Sequence, residues 1–208
     1  MSYFNVEKEV KEAKKSLNEC VDFSYRYFKR GEQKIAFVYL KSIIDPSLFS
    51  SAIYFPIQTY DDKFTFEVIK NDLIKCVDIK EVKKKDIVKE ILDGRVILLT
   101  NFSEKILSVD LLKFPTRTPS EPPTSPVIQG PREGFVEDMQ TNITLLRRRI
   151  KSQDLVMDVV RIGNQTQTKV CITYLKGVAN KKIVTLVRQK LNNIKIDGVL
   201  DSYNILYC

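Results

Sequence analysis

The chain has 208 residues, 43% of them hydrophobic and 29% charged, which is enough apolar material to bury a core and a length that fits one large or two small domains. It contains no histidine, and that removes the commonest general base and the commonest metal ligand, excluding catalytic triads and most zinc hydrolases. The net charge of +8 is uneven: residues 114–208 hold 14 Lys and Arg against 8 Asp and Glu, a pattern that suits nucleic acid, an anionic membrane face or an acidic protein as partner.

No window approaches 18 consecutive apolar residues, and the opening MSYFNVE lacks the basic head and apolar core of a signal peptide. This stretch is therefore expected neither to cross nor to enter a membrane. Cys20, Cys76, Cys171 and Cys208 lie far apart with no CxxC pair, so neither a disulfide framework nor a zinc site is suggested and a reducing compartment is expected.

In chain order, Val6, Val10, Ala13 and Leu17 recur at helical spacing among Lys and Glu, predicting an amphipathic helix over 6–17. Alternation of Val21, Phe23, Tyr25 and Tyr27 predicts a strand over 21–29. After a turn at Gly31-Glu32, the apolar run KIAFVYLK at 34–41 reads as a central strand covered on both faces. Asp45-Pro46 is an N-cap followed by a proline at the first helical position, opening a helix toward Ile53. Helical patterns return at 67–76 and 86–92, the latter ending at Asp93-Gly94, and RVILLT (95–100) with KILSVDLL (105–112) read as a hairpin.

Between 114 and 131 the sequence FPTRTPSEPPTSPVIQGP carries five more prolines after Pro115, so it is neither helix nor central strand. It reads as a connector, either an extended linker or an ordered segment packed in a groove. A helix is predicted over 135–150, where Val136, Met139, Ile143, Leu146 and Ile150 form one stripe, with acids at its start and Arg147, Arg148 and Arg149 at its end, as the helix dipole favours. On a helical wheel Arg148 points away from that stripe and Arg147 flanks it. Strands at 155–162 and 169–176, an N-capped helix at 180–191 and a strand at 194–200 complete a β-β-α-β unit. The chain ends inside the apolar run Ile205-Leu206-Tyr207-Cys208, which suggests a piece of something longer.

At an offset of 135 residues KIAFVYLK lies against KVCITYLK, with four identities, and both copies precede a capped helix, Asp45 in one and Asn180 in the other. The expected fold is therefore α/β, with two related small α/β subdomains with mixed sheets, at 1–113 and 135–208, joined by a proline-rich connector at 114–134.

Sequence motifs for chemistry are sparse. The chain has no GxGxxG, no Walker lysine loop and no HExxH, and its seven glycines are scattered at turns. Glu121 and Glu133 flank the proline segment and read as ion-pair partners of Arg117 and Arg132 more than as an acid/base pair. For nucleic acid the candidates are Arg147, Arg148, Arg149 and Lys181-Lys182, with Tyr174 and Tyr203 to stack on bases; helix ends dressed with solvated cations explain them more simply.

The runs Phe114-Pro115-Thr116-Arg117, Ser120-Glu121-Pro122, Gly130-Pro131-Arg132-Glu133-Gly134-Phe135-Val136-Glu137, Asn142 and Leu146-Arg147-Arg148-Arg149 together resemble the central signature of the GerA family of spore germination proteins. Thr168-Lys169-Val170, Gly177-Val178-Ala179-Asn180 and Ile196-Asp197-Gly198-Val199-Leu200 are similar to that family's next segments, in the same order. Pro123, Ser125-Pro126 and Gln129 depart from its usual polar or basic residues. The resemblance implies the N-terminal part of a membrane protein of the spore inner membrane, on the cytosolic (core) side, ahead of a multi-span region. It implies a germinant receptor A subunit that responds to a small nutrient, acts with B and C subunits and starts ion release. A stage V sporulation protein shares the architecture. No catalytic residue, cofactor or nucleic-acid partner is expected. Arg117, Glu121, Arg132, Glu133, Asn142, Arg147, Arg148 and Arg149 are the ligand or interface candidates. A free-standing basic nucleic-acid-binding protein is the reading of a different class, suggested by the charge and a pI near 9.2.

Overall fold

The computed structural model describes residues 5–76, 78–113, 134–199 and 205. They group into two compact units, one within residues 1–16 and 22–152 and the other within 17–21 and 153–208.

The first unit opens with α1 (Val6–Ser16), whose Val6, Val10 and Ala13 are buried. Next comes the hairpin of β1 (Phe23–Arg30) and β2 (Gln33–Leu40), joined at Gly31, where φ is +56°. The Asp45 side chain caps α2 (Pro46–Phe49), accepting from the amides of Ser47 and Leu48 at 2.8 and 2.9 Å. The helical run then widens into a π-helical turn, Ser50–Tyr54, before continuing as α3 (Phe55–Thr59). Pro56 accounts for this: it has no N–H for the carbonyl of Ala52, and that carbonyl instead accepts from the Lys75 amide at 3.2 Å. The pattern predicted over 67–76 is short α4 (Phe66–Val68) followed by a second π turn, Ile69–Leu73.

Strand β3 (Ile79–Val82), helix α5 (Ile87–Leu92), strands β4 (Arg95–Thr100) and β5 (Ile106–Asp110), and helix α6 (Met139–Arg149) complete the unit. The strands form one sheet in the order β1-β2-β4-β5-β3. β2 and β4 lie inside it, and every residue of β4 is buried, as a run apolar on both sides requires. One face carries Ile35, Phe37, Leu98 and Leu107 under Phe49, Ile53, Ile57 and Ile69 from the helical stretch 46–73. α1 and α5 contact β2, and α5 also contacts β4.

In the second unit β6 (Leu155–Ile162) and β7 (Thr168–Leu175) form a two-stranded sheet. Helix α7 (Lys181–Asn193) follows, capped by Asn180, whose side chain accepts from the Lys182 amide at 2.9 Å. α7 contacts β6, and Leu191 joins Ile162 and Val199 in a small core. Val21 donates to the Met157 carbonyl at 3.2 Å, and Asn18 donates to the Gln153 carbonyl and accepts from Lys176.

The α/β class holds, and each unit contains a hairpin followed by a capped helix: β2 and β7, and Asp45 and Asn180, lie 135 residues apart. Three expectations differ. All described strand pairings are antiparallel, where mixed sheets were expected. Helix α6, placed by sequence in the second subdomain, groups with the first unit because Ile143, Leu145 and Arg147 are buried there and Thr144 bonds the Ser42 carbonyl at 2.7 Å. The strand expected at 194–200 forms no ladder among its described residues. The Ile196 and Asp197 carbonyls instead accept from Asn164, Gln165 and Thr166, clasping the hairpin turn.

Candidate functional site

The ligand or interface candidates that fall within the described chain, Asn142, Arg147, Arg148 and Arg149, all lie on α6. Its start is fixed by Asp138, which accepts from the amide and hydroxyl of Thr141, both at 2.7 Å; these bonds hold the carboxyl below its ordinary range. Asn142 donates to the Val136 carbonyl at 2.7 Å and accepts from the Val136 amide at 2.8 Å, so its side chain ties the approach segment to the helix.

At the other end the three arginines have different situations. Arg147 is 1% exposed and forms a two-pronged pair with fully buried Asp22, Nε to Oδ2 at 2.9 Å and Nη2 to Oδ1 at 3.1 Å. Ser42 donates to the same carboxylate at 2.8 Å, and Arg147 Nη1 reaches the Ser152 carbonyl at 3.4 Å. A buried ion is tolerated only with such compensation. Arg147 therefore holds the helix end in place and is not an exposed contact. Arg148 is half-exposed, with no hydrogen bond or ion pair among the described residues, and Arg149 is exposed. The helical wheel sets Arg148 opposite an apolar stripe that does not form as expected: Ile143 and Leu145 are buried while Met139, Leu146 and Arg148 are half-buried.

Around this helix end is an open cleft of about 470 Å³. Ile43, Leu92 and Leu112 give it an apolar floor, and Arg147, Arg148, Arg149 and Lys151 surround it. Lys151 is paired with Asp93 at 2.8 Å. Such a cleft suits an anionic or acidic group with an apolar portion. Arg117, Glu121, Arg132 and Glu133 lie outside the described residues.

Sequence reasoning missed the partners Asp22 and Ser42 and a second buried polar group. Arg95 donates to Ser108 and Asp78, each at 2.7 Å, and lies 3.2 Å from Glu90, which Lys80 also pairs at 2.9 Å. The Arg95 hydrogen bond holds the Asp78 carboxyl below its usual range. The signal available was an arginine opening an otherwise apolar strand, which demands carboxylates nearby. Among the described residues no cluster of three or more His, Cys, Asp or Glu is placed to hold a metal ion, and no helix is long and apolar enough to cross a membrane.

The family profile described as Bacillus/Clostridium GerA spore germination protein matches residues 11–207. The chain belongs to the GerA family. Within it, the chain is 37% identical over 125 residues to spore germination protein XA of Bacillus anthracis, covering 60% of this chain and 25% of that protein. It is 27% identical over 202 residues to spore germination protein KA of Bacillus subtilis, covering 94% and 37%. Stage V sporulation protein AF of Bacillus subtilis is 30% identical over 134 residues, 64% of this chain and 27% of that one. The GerA chain here thus spans well under half the length of these relatives. Its fold matches the crystal structure of the N-terminal domain of the A subunit of the Bacillus megaterium spore germinant receptor GerK3, with a TM-score of 0.69 at 25% identity, over 94% of this chain and 74% of that one.

Proposed function

We propose that the chain is the N-terminal domain of the A subunit of a spore germinant receptor, where it takes part in nutrient-triggered signalling and receptor assembly. The observation that carries this reading is the likeness, over 94% of the chain, to the corresponding domain of the GerK3 A subunit. In this reading a membrane region follows in the full protein, the domain lies on the core side of the spore inner membrane, B and C subunits are its partners and a small nutrient is a ligand. The domain acts by binding and by biasing the state of what it binds, not by catalysis. Arg148, half-exposed at the cleft, is the contact residue of this account.

The similarity to stage V sporulation protein AF supports a second reading, a role in spore formation. Deleting the gene separates the two. Spores lacking it should form normally yet fail to respond to at least one nutrient in a panel of amino acids, sugars and nucleosides, with the response restored by the full-length gene. Normal responses to every nutrient, with impaired sporulation, would select the second reading.

A further inference from the structure

A helix that covers a sheet normally turns its apolar residues to the core and its polar ones to water. Helix α7 does only part of this. Leu191 is buried and Val184 half-buried on the inner side, but Ile183, Leu186 and Val187 are 59%, 51% and 40% exposed. At 100° per residue these three fall on one strip of the helix surface, and Lys190 falls on the same strip. Val178, in the turn before the helix, is 81% exposed. All four large hydrophobics exposed in the described part of the second unit thus lie in this one segment.

Its charge is equally one-sided. Residues 176–196 contain Lys176, Lys181, Lys182, Arg188, Lys190 and Lys195 and no Asp or Glu. Arg188 is engaged by Asp158 of β6, and the five lysines are all exposed. Independently of the receptor reading, we propose that the outer face of α7 rests on an anionic lipid surface. Charge complementarity selects that occupant. A strip of aliphatic side chains flanked by cations without a single carboxylate is the composition of a helix lying in a headgroup region, where Lys stems add apolar surface and their ammonium groups reach lipid phosphates.

Three aliphatic side chains and a few lysines give weak, salt-sensitive attachment. The test mixes the 208-residue chain with phosphatidylcholine vesicles, with and without phosphatidylglycerol, and measures the sedimented fraction at low and raised salt. The chain should bind the anionic vesicles, lose them as salt rises, and ignore phosphatidylcholine alone. Ile183→Ser with Leu186→Ser, and separately Lys182→Gln with Lys190→Gln, should each weaken partition about tenfold or more. Their melting temperatures should stay near that of the parent, because these side chains are already exposed. The chain has no tryptophan, so Leu186→Trp provides a single reporter that does not depend on the serine variant folding. Its emission should shift to the blue on anionic vesicles only.

Any of four results would overturn the proposal: no binding to anionic vesicles, equal binding to neutral ones, an unshifted Trp emission, or loss of binding in the lysine variant but not in the serine variant. The last would mark simple charge attraction, as to an acidic protein. Self-association of the parent chain that the serine pair abolishes would likewise assign the face to a second copy and overturn it.

Discussion

Asp22 and Arg147 show how much rests on single side chains in this fold. Both are essentially inaccessible, and each completes the other's hydrogen bonds together with Ser42. Removing one partner leaves a buried charge, so Arg147→Ala should cost about 3–5 kcal/mol in a denaturant titration. The joint change Asp22→Leu with Arg147→Met should cost less than either single change, because no ion is then stranded. Gly94 is a different case. Its φ is +86°, and an added Cβ would lie 2.5 Å from Leu112 Cδ1, so Gly94→Ala should lower stability by about 1–2 kcal/mol, read in the same titration. The sequence suggested the glycine as a helix end and turn, but not Arg147's role. Its partner is 125 positions away, inside a stretch that looked like an ordinary alternating strand.

At the scale of elements, legibility followed the strength of local rules. Asp45-Pro46 and Asn180 began helices where their side chains predicted, and the apolar runs at 34–41 and 95–100 became the interior strands β2 and β4. Strand β3 went unseen because four residues, Ile79-Lys80-Glu81-Val82, carry no periodicity to distinguish them from a loop; only pairing with β5 makes them a strand. The alternation at 194–200 misled for the converse reason. Ile194 and Ile196 do pack against the core, yet the Ile196 and Asp197 carbonyls bond a turn and not a ladder. The start of α6 offers a test with a pH signature. Asp138→Ala should cost about 1 kcal/mol of stability near neutrality, the usual loss for an N-cap. The Asp138 pKa is lower in the folded chain than in the unfolded one, so its contribution is fully present above about pH 4 and fades as pH falls through the folded value. Melting curves of parent and variant should therefore converge in acid, and a constant gap would deny the carboxylate its part.

For the whole molecule, a hairpin and a capped helix recur at an offset of 135 residues, but the two units differ in size. The first has a five-stranded sheet covered by helices, and the second has two strands and helix α7 among its described residues. The first unit holds the larger buried apolar cluster, and the second has an exposed apolar face on α7, whose lipid attachment is proposed above. Helix α6 belongs to the first unit, with Arg148 at a cation-lined cleft. Arg148→Glu in the full-length protein tests most directly whether this domain passes the nutrient response, as proposed. The side chain has no partner to lose among the described residues, so the variant protein should accumulate in spores at the normal level, measured by immunoblot. Nutrient-triggered germination, followed as the fall in optical density of the spore suspension, should then be clearly slower than with the parent receptor. Germination at the parental rate, with the variant at normal abundance, would contradict the account.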